Sequence, residues 1–140
     1  MMRAGQAVVE SLIAEDVEIV FGLVGHTING ILTEMYGRED IRFIDNRHEE
    51  GSAFMAYCYA QASGRPAVCM TTAGPAATNL ATGIALAFKG NAPVVAITGD
   101  VNSTFANRDG FQSLDLVDLF KPITKLSVQV NQSQRIPEMV

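Results

Sequence analysis

Short apolar runs rich in β-branched residues alternate along this chain with longer stretches whose apolar residues recur at helical spacing. From Ala4 to Asp16 the residues Ala7, Val8, Leu12 and Ile13 predict a helix, and Val17 to Leu23 a buried strand. Thr27 to Tyr36 reads as helix again, with Ile28, Ile31, Leu32 and Met35 on one face and Gly37 as its stop, before a short strand over Ile41 to Asp45. His48 to Ser63 is dense in small and apolar residues and predicts a largely enclosed helix. Ala67 to Thr72, Pro75 to Lys89 and Pro93 to Thr98 then predict a strand, a helix and a further buried strand. Strands joined through single helices cannot pair as hairpins, so they form a parallel sheet through right-handed crossovers with helices on both faces. The expected fold is α/β, a three-layer α/β/α sandwich on a central parallel sheet.

Val101 to Gln112 is polar and without a hydrophobic period, which predicts a loop at the carboxyl end of a strand, where open α/β sheets place their binding sites. A short helix over Leu114 to Phe120 and a strand over Ile123 to Val130 follow. Pro137 suits the first turn of a helix, yet only Glu138, Met139 and Val140 come after it, so the polypeptide is expected to continue.

With 140 residues, 48% of them apolar, one domain with its own core is expected. The 10 Lys and Arg are scattered and outnumbered by 15 Asp and Glu, which argues against a nucleic-acid partner. No apolar run approaches the roughly 18 to 20 residues of a membrane span, and Met1 to Gly5 does not open a signal peptide, so the chain reads as cytoplasmic. Cys58 and Cys69 lie in apolar stretches without metal-ligand spacing and read as reduced core residues.

Three stretches can carry chemistry. Arg47-His48-Glu49-Glu50 stands where a strand gives way to an enclosed helix, placing the Glu49 carboxylate at a sheet edge beside an apolar wall. Such surroundings favour sharing a proton with a ligand nitrogen. Asn46 to Glu49 also has the N-x-x-E form of a capping box, in which Glu49 merely closes a helix start. The run Thr71-Thr72-Ala73-Gly74-Pro75-Ala76-Ala77-Thr78-Asn79 is a strand, a Gly-Pro turn and a helix start whose free N–H groups can face an anion or a polar ring. It is neither a P-loop nor a dinucleotide fingerprint, and Gly22-x-x-Gly25 fails that spacing too, so nucleotide binding is the weakest reading. His26, between two elements, suits either proton transfer or a place beside a helix cap. His48 is expected to pair locally with Glu49 and Glu50.

In order, Val20-Phe21-Gly22, Arg47-His48-Glu49, Met55-Ala56 with Tyr59-Ala60, Ala73 to Asn79, Asn91-Ala92-Pro93-Val94-Val95 with Thr98-Gly99, and Gly110-Phe111-Gln112 form one series. The series, running essentially from Ala4 to Val140 through Lys121-Pro122-Ile123-Thr124-Lys125 and Ile136-Pro137-Glu138, resembles the N-terminal, pyrimidine-binding domain of thiamine-diphosphate enzymes of the acetolactate synthase (acetohydroxyacid synthase) group. The resemblance implies that Glu49 hydrogen-bonds a ring nitrogen of the cofactor's aminopyrimidine and stabilises the imino tautomer that takes the thiazolium proton. It implies decarboxylation of a 2-oxoacid such as pyruvate and transfer of the acyl carbanion to an acceptor, as in branched-chain amino acid biosynthesis. Gly25, His26, Thr27, Phe111 and Gln112 are then expected to line the substrate pocket, and Thr72, Gly74, Pro75 and Asn79, with Glu49, to meet the cofactor.

The same resemblance implies one domain over residues 1–140, cut short at its C-terminal end, with the central and diphosphate-binding domains lying elsewhere. Mg2+ would be held by a second domain bearing Gly-Asp-Gly and a later Asn; Gly99-Asp100-Val101 with Asn131 imitates that motif without its last Gly and reads as a decoy. FAD in another domain stays open. The active site would form against the diphosphate-binding domain of a second chain in a homodimer or homotetramer, through the faces of His48 to Ser63 and Thr78 to Phe88, so this segment alone is expected to be inactive. Departures stand at His26 for the usual Pro-Gly-Gly stretch, Tyr57-Cys58 for Asp-Gly, Gln61 for Arg, Ala76 for Gly and Ser113 for Glu. The alternatives are a decarboxylase subunit of the sulfopyruvate or phosphonopyruvate type and a non-catalytic dimerisation or regulatory module.

Overall fold

In the computed structural model, which describes residues 2–105, 108 and 110–140, the alternation resolves into a parallel sheet covered on both faces. The elements run α1 (Ala4–Ala14), β1 (Ile19–Gly22), α2 (Asn29–Met35), β2 (Arg42–Asp45), α3 (Glu49–Ser63), β3 (Ala67–Thr71), α4 (Pro75–Asn79), α5 (Ala81–Lys89), β4 (Val94–Thr98), α6 (Leu116–Phe120) and α7 (Ile136–Met139). Four strands lie in the order β2-β1-β3-β4 with every pairing parallel, Val20 standing beside Phe43 on one side and Val68 on the other.

The period of two along each strand divides the core. Val20, Val68 and Met70 join Val8, Val9, Leu12, Ile28 and Met35 under α1 and α2, whereas Phe21, Ala67 and Cys69 join Ala53, Ala56, Ala77, Leu80, Ile84 and Phe120 under α3 to α6. Two close helix crossings rest on glycine: a Cβ on Gly5 would stand 2.2 Å from the Gly30 carbonyl oxygen, and one on Gly83 would stand 2.5 Å from the Ala53 Cβ.

The chain leaves β1 toward β2 and then crosses back over β1 to β3. The loops after β1 and β3 therefore diverge, creating the switch-point crevice at the carboxyl edge where open α/β sheets bind ligands.

Several local expectations are corrected. The helix expected over Pro75 to Lys89 breaks at Leu80, whose fully buried side chain anchors a tight turn from the Ala77 carbonyl before α5 begins. Thr78 and Asn79, poor helix formers, mark the break. The strand expected over Ile123 to Val130 is absent: a 3-10 turn covers Lys121–Ile123, and the alternating residues that follow pair with no strand, leaving Leu126, Val128 and Val130 exposed. Alternation becomes a strand only where a neighbour supplies the hydrogen bonds. The Pro93 to Thr98 strand is not buried but forms an edge, with Val95 39% exposed. The α3 helix is enclosed on one side only: Ser52, Ala53, Ala56 and Ala60 are buried, while Cys58 is exposed, so only Cys69 of the two thiols is a core residue.

Candidate functional site at the carboxyl edge of the sheet

Glu49 is the first residue of α3, one short turn beyond β2. The capping box expected over Asn46 to Glu49 does not form. The cap is His48, in an extended conformation, whose Nδ1 accepts from the Glu50 N–H at 3.2 Å. That cap replaces the ion pairing expected of His48. Asn46 instead braces the approach: its Oδ1 accepts from the His48 N–H at 3.1 Å and its Nδ2 donates to the buried Ser52 Oγ. Asn46 and Ser52 are site-building residues that sequence reading missed, because a bond across a loop and a first helical turn has no period to betray it.

Freed from capping, Glu49 is 9% exposed as a residue, and its Oε2 accepts a hydrogen bond from Asn79 Nδ2 at 2.9 Å. Among the described residues no donor reaches Oε1. Among the described residues Thr71 Oγ1 is the one fully buried side-chain polar atom without a partner. A carboxylate set in an alanine-lined wall with one oxygen held and one unclaimed fits a ligand that presents a polar ring nitrogen.

A second knot joins the loops on either side of the switch point. The Thr27 and Thr72 hydroxyls are 2.8 Å apart, the Thr27 N–H donates to Thr72 Oγ1 at 3.2 Å, and the Ala73 N–H donates to Thr27 Oγ1 at 3.0 Å. Neighbouring glycines permit this approach: a Cβ on Gly25 would stand 2.4 Å from the Thr72 Cβ, and one on Gly99 would stand 1.8 Å from the Thr27 Oγ1. His26 opens the 3-10 turn His26–Ile28 and is exposed.

Gly74 caps α4 at φ 68° and Pro75 fills the first helical position. A Cβ at Gly74 would lie 2.7 Å from the Gln112 carbonyl oxygen, so the Phe111-Gln112 segment sits directly on this turn. Gln112 adopts φ 66°, and Phe111 is 91% exposed. Ala106, Asn107 and Asp109 of the same loop lie outside the described residues. Six of the ten sequence-predicted residues thus meet in three pairs, Glu49 with Asn79, Thr27 with Thr72, and Gly74 with Gln112, while Gly25, His26, Pro75 and Phe111 flank them.

Asp100 is committed elsewhere, Oδ1 accepting from the Val101 N–H at 2.7 Å and Oδ2 from Gln129 Nε2. Two of the departures share one partner: Gln61 Nε2 donates to the Gly90 carbonyl at 3.0 Å, and Tyr57 lies so close to Gly90 that a Cβ there would meet its ring at 2.8 Å. They fasten α3 to the end of α5. Two clefts of about 240 and 210 Å3, by Gln129 to Met139 and between Val24, Tyr36 and Phe43, do not take in Glu49. Among the described residues no helix is long and apolar enough to cross a membrane.

Residues 2–119 match the family model described as thiamine pyrophosphate enzyme, N-terminal TPP binding domain. The chain is 41% identical over 137 residues to a probable acetolactate synthase large subunit of Methanocaldococcus jannaschii, an alignment covering 98% of this chain and 23% of the relative. It is 40% identical to the acetolactate synthase isozyme 2 large subunit of Escherichia coli, covering 99% and 25%, and 39% identical to the acetolactate synthase large subunit of Corynebacterium glutamicum, covering 98% and 22%. The chain therefore spans about a quarter of the length of these relatives. It belongs to the thiamine pyrophosphate enzyme family, as an N-terminal domain that binds thiamine pyrophosphate.

Proposed function

We propose that this domain activates thiamine diphosphate in an acetolactate synthase-like enzyme that decarboxylates a 2-oxoacid such as pyruvate and transfers the acyl carbanion to an acceptor carbonyl. The observation that carries the reading is Glu49, enclosed at the start of α3 with Oε2 held by Asn79 and, among the described residues, Oε1 unclaimed. When bound, the cofactor supplies the nucleophilic carbon and the electron sink for carbon dioxide release. Glu49 binds and orients the aminopyrimidine by sharing a proton between Oε1 and a ring nitrogen, and the alanine-rich wall of α3 excludes competing water. Thr72, Gly74, Pro75 and Asn79 shape the turn against the cofactor, while Gly25, His26, Thr27, Phe111 and Gln112 face the substrate. The exposed His26, standing where the group usually has Pro-Gly-Gly, is the side chain through which substrate choice would differ.

Residues 1–140 are, in this reading, a pyrimidine-binding domain whose site is completed by the diphosphate-binding domain of a second chain in a cytoplasmic homodimer or homotetramer. The exposed Phe111 and the half-covered outer side of α3 support a site that awaits cover. Mg2+ would sit on that second domain, in keeping with the engagement of Asp100 by the Val101 N–H and the Gln129 amide; FAD, where used, would sit in a further domain.

Supplying the assembled enzyme with pyruvate and following carbon dioxide and acetolactate tests the reading. Carbon dioxide with acetolactate supports it. Carbon dioxide released without carbon–carbon bond formation favours a simple decarboxylase, and neither product from any 2-oxoacid contradicts it.

A further inference from the structure

The geometry points to Asn79 as a positioning residue that fixes which oxygen of Glu49 faces the cofactor, an inference resting on the function proposed for Glu49. A carboxylate at the first position of a helix can rotate so that either oxygen, or both, turns toward a ligand; its side chain has freedom that the backbone does not remove. Here one outcome is selected. The Asn79 amide donates to Oε2 at 2.9 Å, and among the described residues Oε1 is left without a donor. Since a carboxylate only accepts, the Asn79 amide must present its nitrogen, which fixes the orientation of Asn79 as well.

Asn79 is well placed to act as a rigid stop. It closes α4, a helix started by the positive-φ Gly74 and by Pro75, and tightened where the Thr78 hydroxyl donates to the Pro75 carbonyl at 2.8 Å. On either side Ala77 and Leu80 are fully buried in the core beneath α3, while Asn79, the last residue of α4, is exposed. Glu49 is set from its own side by the His48 cap and by the fully buried Ala53 one turn on. Two independently anchored helix ends therefore meet through one hydrogen bond, and Asn79 need not touch the cofactor to govern how Glu49 meets it.

Two variants separate this role from a simple tie between α3 and α4. Asn79→Leu keeps roughly the shape and removes the donor; Asn79→Ala removes the side chain from an exposed position. In the cofactor-free protein, the 13C resonance of the Glu49 carboxyl should move in both. In the holoenzyme loaded with thiamine diphosphate and Mg2+, exchange of the cofactor C2 proton should slow by roughly tenfold to a hundredfold, the equivalent of one hydrogen bond to a charged group. Both variants should keep the thermal midpoint within a few degrees. Exchange at the wild-type rate, or an unmoved Glu49 resonance, would overturn the inference. Glu49→Gln runs beside them: if it stops exchange while Asn79→Ala does not slow it, only the positioning role falls, whereas exchange that survives Glu49→Gln removes the role of Glu49 and this inference with it.

Discussion

The Thr27 and Thr72 hydroxyls lie 2.8 Å apart and tie the loop after β1 to the loop after β3 across the switch point of the sheet. Thr27 Oγ1 also accepts from the Ala73 N–H, so the pair fixes the backbone from which Gly74 and Pro75 continue. A residue expected to line a substrate pocket thus has its hydroxyl engaged in shaping the rim.

Replacing that hydroxyl should be costly. Thr27→Val keeps the volume but leaves the Ala73 N–H and the Thr72 hydroxyl short of a partner, and should lower unfolding free energy by about 1 to 3 kcal/mol in a urea titration. Thr27→Ser, which keeps the oxygen, should lose less than about 1 kcal/mol.

Gly74→Ala places a Cβ 2.7 Å from the Gln112 carbonyl oxygen at a backbone φ of 68°. Both terms act in the same direction, so the variant should lose about 1 to 3 kcal/mol or displace the Phe111-Gln112 segment. Faster amide hydrogen exchange at Gln112 and Ser113 would report the displacement.

The two cysteines should behave oppositely. Cys58 is exposed on α3, while burial pushes the Cys69 thiol up to about 12. One equivalent of a thiol reagent should react in the folded protein and two after denaturation. The raised Cys69 value also sets a pH dependence: the folded state keeps its proton where the unfolded thiol loses it. The contribution of Cys69 is therefore complete below about 9 and declines as pH rises toward about 12, at up to about 1.4 kcal/mol per pH unit. A Cys69→Ala variant should start less stable and show a flatter alkaline decline.

Asp100 sits in Gly99-Asp100-Val101, a sequence that imitates half of a metal motif, yet both its oxygens are taken by Val101 and Gln129. Asp100→Asn should leave the Mg2+ concentration for half-maximal activity of the assembled enzyme unchanged. A shift of tenfold or more would make Asp100 a metal ligand.

The layers were legible because they rest on two periods, and the division of Val20 from Phe21 and of Val68 from Cys69 between the two cores follows directly from strand alternation. What escaped depended on neighbours distant in sequence. The alternating Leu126, Val128 and Val130 carry a strand's pattern without a strand beside them. Cys58 stands in an apolar stretch whose other side is covered, so its exposure is a matter of helix rotation. At the site, spacing favours a cap over a reactive carboxylate for Glu49; the cap is instead His48, and Asn79 holds one Glu49 oxygen, contacts that no local pattern announces.

The central claim is that Glu49 activates the bound cofactor, and the most direct measurement is hydrogen–deuterium exchange at C2 of thiamine diphosphate in the assembled enzyme carrying Glu49→Gln. Exchange reduced by a factor of about 100 or more, with the fold and the diphosphate contacts intact, is the predicted result. Exchange at the wild-type rate would contradict it.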